Sequence, residues 1–178
     1  MYTTCSEKKA APVPRVLTKP KVVSAKFMLE LLVTFGPTKK YSMMNIVSIR
    51  IITTDVKNLV TFYEQITGIT AIQYTPDFAE VKTQSATLAI GSTKTLQFFG
   101  GDEVAASAQN RSAIIEFRVN DVDEDYRRLA RFLQPYLVQK PTTMPWGNKS
   151  LLFRDTDGNL VNFFTPVTQE AVKKFDGA

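Results

Sequence analysis

From residue 46 onward the chain alternates between β-branched runs and apolar positions at helical spacing. Residues 46–53 (IVSIRIIT) predict a strand, because branched side chains suit a pleated, half-buried surface. Thr54 or Asp55 can cap a following helix. Val56, Leu59, Val60, Tyr63 and Ile66 supply its apolar stripe, and Gly68 stands where it would end. Three strand-like runs follow: 70–74 extending toward 82, 86–91, and 94–99 (KTLQFF), closed by Gly100-Gly101. The predicted order is β-α-β-β-β.

The order then recurs. Residues 113–119 (AIIEFRV) predict a strand, and Asp121 with Glu124 gives a capping-box-like helix start. Val122, Tyr126, Leu129, Ala130 and Leu133 form the second stripe. Runs at 137–140, 150–154 and 159–165 follow, with a tight turn at Asp155-Thr156-Asp157-Gly158. Asp55-Val56 returns as Asp121-Val122, 66 residues on; Leu96–Phe99 returns as Val161–Phe164, 65 residues on. Near-equal offsets at two distant places point to an internal duplication.

The first 43 residues read differently. They carry eight basic residues against Glu7 and Glu30, leaving fourteen basic and fifteen acidic residues for the rest of the 178-residue chain. The net charge of +5 therefore belongs to this segment, and a nucleic-acid role for the folded part is not expected. Pro12, Pro14, Pro20 and Pro37 punctuate the segment, and its one apolar run, Phe27 to Phe35, is too short to span a bilayer. We read 1–43 as a disordered or loosely attached basic extension, with Met43-Met44 as a candidate natural start. Residues 44–167 are the expected domain, its halves about 46–101 and 112–166, and 168–178 a C-terminal tail.

Composition narrows the chemistry. There is no histidine, so no Ser-His or Cys-His triad and no imidazole metal ligand can come from this chain. Cys5 is the sole cysteine, so an intrachain disulfide is impossible; a single thiol fits a reducing, cytoplasmic setting. Gly100-Gly101 is not followed by a phosphate-loop Lys. Asp155 and Asp157 lack EF-hand spacing.

The stretches IRIITTDVKNLVTFYEQITG at 49–68, FRVNDVDEDYRRL at 117–129 and PWGNKSLLFRDTDGNLVNFF at 145–164 resemble the vicinal oxygen chelate superfamily, which includes glyoxalase I, extradiol dioxygenases and the fosfomycin- and bleomycin-resistance proteins. The resemblance implies an α+β fold in which two βαβββ modules curl into a cupped mixed sheet around a cavity. It also implies a homodimer. Metal-dependent members place His or Glu near the start of each module's first strand and on each module's last strand. By position these become Ser48, Gln97, Ile114 and Asn162 in this chain. Ile114 cannot bind a metal, and the other three are weak neutral ligands for a transition ion. The departure points away from the lyase and dioxygenase branches and toward the metal-free binding branch, with no cofactor.

Strand alternation extends the site. If Ser48 faces inward, so does Arg50; with Ile114 go Glu116 and Arg118; with Gln97 go Thr95 and Phe99; with Asn162 go Leu160 and Phe164. The opposite face (Ile49, Ile51, Ile115, Phe117, Val119, Val161, Phe163) is apolar and would pack under the helices. Aromatic walls with few polar handles suit a small organic ligand, with Arg50 or Arg118 for an anionic group and Gln97 and Asn162 for amides. Trp146 could stack on a planar ligand from a cavity mouth. The expected function is metal-independent binding of a small organic molecule, such as sequestration of an aromatic drug or metabolite in antibiotic resistance, with neither nucleic acid nor membrane as partner. The alternatives are an enzyme of the superfamily with a non-standard metal site, or with Glu116 as acid or base, and an interaction protein whose cavity has closed around a Glu116–Arg50 or Glu116–Arg118 pair.

Overall fold

A computed structural model describes residues 44–176, and those from Asn45 onward belong to one compact unit. Expectations for residues 1–43, including the basic extension and Cys5, lie outside the described residues.

The first module runs β1 (Ser48–Thr53), α1 (Val56–Thr67), β2 (Ile72–Thr75), β3 (Phe78–Lys82) and β4 (Thr87–Ser92). The second runs β5 (Ile114–Arg118), α2 (Val122–Leu133), β6 (Leu137–Thr143), β7 (Asn148–Arg154) and β8 (Leu160–Pro166), followed by α3 (Gln169–Asp176). The two sheets have the same plan, β1-β4-β3-β2 and β5-β8-β7-β6. In each, the first strand pairs parallel with the last, and the remaining pairs are antiparallel. The halves are thus two βαβββ modules of one α+β fold.

Local chemistry explains the helix ends. Asp55 accepts the N–H of Asn58, and Gly68 takes the left-handed conformation (φ +69°) that ends α1. Asp121 accepts the N–H groups of Asp123 and Glu124 at the start of α2. These two bonds favour its charged form and hold its pKa below the usual carboxylate range.

Both helices cover the same side of the sheets. Ile51, Val81, Leu88 and Ile90 from the first sheet, and Ile115, Leu151, Phe153, Val161 and Phe163 from the second, join Leu59, Tyr63, Ile66, Leu129 and Leu133 in one core. The apolar face expected from alternation is this convex, helix-covered side, although Ile49 at its end remains half exposed. Ala130 was expected in the α2 stripe but is exposed. Phe62 is buried beside the expected α1 stripe, with its ring 5.5 Å from Phe132, 5.1 Å from Tyr136 and 6.3 Å from Phe153. The first module's helix therefore packs into the second module.

One strand expectation fails. Residues Thr93–Phe99 form a 3₁₀ segment, and β4 is the last strand of the first module. Its parallel partner β1 ends at the Thr53–Ser92 pair, so nothing remains for 94–99 to pair with. Local bonds compete as well: Ser92 Oγ accepts from Lys94 N, and Thr95 Oγ1 donates to the Ser92 carbonyl. The run 70–82, expected as one strand, is the β2–β3 hairpin. The 65-residue offset is therefore not a structural equivalence. The 168–178 tail contains α3.

A buried carboxylate fastens the modules together. Asp155 is 3% exposed and accepts the Tyr63 hydroxyl at 2.9 Å, the Asn159 N–H and amide at 2.8 Å each, and the Asp157 N–H at 3.0 Å. Tyr63→Phe removes one of those donors and is expected to destabilise the fold by about 1–3 kcal/mol in urea titrations at neutral pH. Burial, and then the neighbouring Asp155, push the Tyr63 pKa well above its usual 10.0. Above about pH 10 the unfolded phenol ionises while the native one does not, so wild-type stability falls there relative to Tyr63→Phe. The cost of the substitution should shrink as pH rises past 10; a constant cost would contradict the buried neutral phenol.

Candidate functional site

With α1 and α2 on the convex side, the chemistry collects on the concave faces. Ladder register assigns each side chain. In the second sheet Glu116 stands opposite Asn162, Arg118 opposite Phe164, and Ser150 opposite Phe164 from the other side. Asn162 Nδ2 donates to Glu116 Oε1 at 2.8 Å. The expected Glu116–Arg50 or Glu116–Arg118 ion pair is not formed: Glu116 is held by an amide instead. Asn148 Oδ1, Ser150 Oγ and Asn162 Oδ1 lie on this face, buried and without a hydrogen-bond partner among the described residues.

The C-terminal helix crosses this face. Phe175 packs against Phe164 with centroids 5.2 Å apart and ring planes tilted by 50°, and Arg118 donates to the Phe175 carbonyl at 3.2 Å and pairs with Asp176. Gly147 seats the start of α3: its carbonyl accepts the N–H groups of Val167 and Thr168, and Ala171 is 4% exposed against it. A cleft of about 760 Å³ opens between Glu116, Arg118, Phe164 and Phe175 on one side, Asp125 and Arg128 of α2 and the end of α1 at Ile66–Thr67 on another, and the β3–β4 turn at Thr83–Ala86.

The first sheet is different. Arg50 stands opposite Ala89, and Ala89 opposite Glu80 on β3. The Arg50 guanidinium lies 4.8 Å from the Phe78 ring centroid and 5.0 Å from that of Phe99. Glu80 is taken up by Tyr74 and Lys82. Lys82 also donates to the Tyr74 hydroxyl at 3.0 Å, and that bond, followed by the one to Glu80, raises the Lys82 pKa.

The expected site residues therefore separate into groups. Glu116, Arg118, Asn162 and Phe164 come together on the second sheet. Ser48, Arg50 and Phe99 belong to the first, Phe99 from the 3₁₀ segment. Gln97 is exposed there and donates to Asp102 at 3.2 Å. The ladders place Ala89, not Gln97, at the position equivalent to Asn162, since Arg50–Ala89 and Glu116–Asn162 are matching pairs. Trp146 sits 67% exposed in the β6–β7 connection and lines neither the cleft described above nor the Arg50 face. Phe78, Ala89 and Phe175 were not anticipated. The strand shift hid the first two, and the unassigned tail hid the third.

Carried over by ladder register, the four positions that the resemblance assigns to metal ligands read Ser48, Ala89, Ile114 and Asn162: a hydroxyl, a methyl, a branched alkyl and an amide. They do not fit a divalent transition ion, which needs carboxylate, imidazole or thiolate donors. Among the described residues, no three Asp, Glu, His or Cys side chains gather.

Residues 45–163 match the family model described as Glyoxalase/Bleomycin resistance protein/Dioxygenase superfamily. Among solved structures, a glyoxalase/bleomycin resistance protein/dioxygenase from Nocardioides is similar at 20% identity and a TM-score of 0.60, covering 81% of this chain and 95% of that one. A family enzyme from Burkholderia phytofirmans PsJN is similar at 15% identity and a TM-score of 0.61, covering 70% and 100%. A glyoxalase-related enzyme from Fulvimarina pelagi is similar at 18% identity and 0.59, covering 69% and 88%. At these identities the likeness is one of fold. No curated protein matches the chain. No described helix is long and apolar enough to cross a membrane.

Gly147 has φ +89°, and an added Cβ would lie 2.1 Å from Thr168 Oγ1 and 3.1 Å from Ala171 Cβ. Gly147→Ala is expected to cost about 1–3 kcal/mol and to speed amide exchange through α3. Unchanged exchange there would show that α3 is not seated by this contact.

Proposed function

The chain belongs to the Glyoxalase/Bleomycin resistance protein/Dioxygenase superfamily, and we propose that its role there is metal-independent binding of a small organic molecule on the concave side of its paired modules. One observation carries this reading. The concave face of the second sheet holds Glu116 bonded to Asn162, beside the unpartnered buried oxygens of Asn148, Ser150 and Asn162. Those oxygens are closed to solvent; the group that meets a ligand is Glu116, whose carboxylate opens on the adjoining cleft beside Phe164 and Phe175. The donor set at Ser48, Ala89, Ile114 and Asn162 supports the metal-free form of this reading, because the superfamily's Lewis-acid chemistry has no suitable ligands there. The adjoining cleft of about 760 Å³ has the size of an organic-ligand site.

In this reading binding is sequestration. The ligand is held against Phe164 and Phe175, with its polar groups on Glu116 and Asn162, and is withheld from other targets. The protein works in the cytoplasm as a homodimer. Glu116 is also the residue on which a catalytic variant of the reading would turn, since its carboxylate reaches the cleft.

The test is thermal unfolding of chelator-stripped protein. Adding Mn(II), Ni(II), Zn(II) or Fe(II) should leave Tm within about 2 °C of the metal-free value, whereas at least one compound from a broad panel of aromatic drugs and metabolites should raise it further. One stoichiometric transition metal per chain would overturn the metal-independent reading in favour of an enzyme. Silence across the panel would favour a protein whose cavity has closed.

A further inference from the structure

Two arginines face the concave side, and the structure separates their roles. Arg118 is committed, since its guanidinium is spent on the Phe175 carbonyl and on Asp176. Arg50 has neither a hydrogen bond nor an ion pair among the described residues, and both of its contacts are to ring faces, Phe78 and Phe99. Contact with ring faces holds a guanidinium in place without using its N–H groups. A planar cation held in this way is set to receive a carboxylate edge-on, through two parallel N–H···O bonds.

The space beside Arg50 defines the rest of the ligand. A groove of about 340 Å³ is walled by Ile52, Leu96, Phe99, Val104 and Ala105, with Arg50 as its one charged residue. Phe99 is 60% and Val104 52% exposed, so apolar surface stands open to water next to a cation. Ala89 and Gly91 lie buried on the neighbouring strand, and Gly91 is covered by Thr95 and the Arg50 stem: an added Cβ would meet Thr95 Oγ1 at 2.9 Å and Arg50 Cδ at 3.7 Å. The acidic groups nearest in sequence to the groove wall are Asp102 and Glu103, and Asp102 is engaged by Gln97. Glu80, across the sheet, is engaged by Tyr74 and Lys82.

We propose that this groove binds small aromatic or branched monocarboxylates, with the carboxylate on Arg50 and the apolar body against Ile52, Leu96, Phe99 and Val104. The proposal rests on the small-molecule reading above and adds to it a second site, on the first module, with its own ligand class. A single cation in an otherwise apolar groove matches a monoanion. A dianion such as a phosphate monoester would leave charge unpaired against apolar walls.

The experiment is calorimetric titration with 1-naphthoate, 1-naphthamide and 1-naphthyl phosphate, with amide NMR shifts to locate binding. Naphthoate should bind at least tenfold more tightly than naphthamide and shift the signals of Ile52, Leu96 and Val104. Arg50→Gln should abolish that preference. Glu103→Gln, which removes the exposed carboxylate next to the groove wall, provides a second variant and should tighten naphthoate while sparing naphthamide. Equal binding of acid and amide, or of acid and phosphate, or indifference to both substitutions, would overturn the carboxylate assignment while leaving the small-molecule reading intact. Binding of panel compounds at Glu116 and Asn162, with naphthoate silent, would do the same. Silence of every compound at every site would overturn both.

Discussion

The buried carboxylate of Asp155 holds the architecture together. A charge in the interior survives only if its oxygens are bonded, and here the donors come from two places. Asn159 and Asp157 belong to the turn that follows β7, whereas Tyr63 comes from α1 of the other module. The bond therefore serves the turn and the module interface together. It also fixes which side of each sheet faces the core. With Tyr63 and Phe62 drawn into the second module, the convex faces of both sheets close over one apolar cluster. The concave faces are then the only sheet surfaces on which polar groups such as Glu116, Asn162 and Arg50 can gather.

The two concave faces have diverged. On the second sheet, α3 lies across the strands and occupies Arg118, and the nearby buried oxygens have no partner. On the first sheet, the corresponding stretch of chain becomes a 3₁₀ segment that sends Phe99 over Arg50 and leaves an apolar groove open beside it. A duplicated fold thus presents one sheltered polar face and one open cationic face. Among the described residues, neither gathers three Asp, Glu, His or Cys side chains that could hold a metal ion.

Much of the fold was legible in the sequence because burial writes a strict period. Ile51, Ile115, Val161 and Phe163 each adjoin a polar residue (Arg50, Glu116 or Asn162), and the core chose their face as the pattern implied. Helix caps were equally plain, since Asp55, Gly68 and Asp121 satisfy local needs that no distant contact can change. The misreading at 94–99 has a physical source. Thr-Leu-Gln-Phe-Phe has strand propensity, but a strand also needs a partner, and β1 had ended. That shift moved an expected site position from Ala89 to Gln97. The choice between Arg50 and Arg118 was illegible for a related reason. It depends on Asp176 and Phe175, which come from a helix far along the chain that no short-range pattern connects to β5.

The central claim is that the helices take the convex faces and leave the concave ones as a metal-free binding surface. The most direct measurement is a crystal structure of the protein grown with excess Mn(II) and 1-naphthoate, with anomalous data collected for manganese. The account predicts ligand density beside Arg50 and no anomalous peak among Ser48, Ala89, Ile114 and Asn162. A manganese peak bridging those positions, or ligand density confined to the convex side, would contradict it.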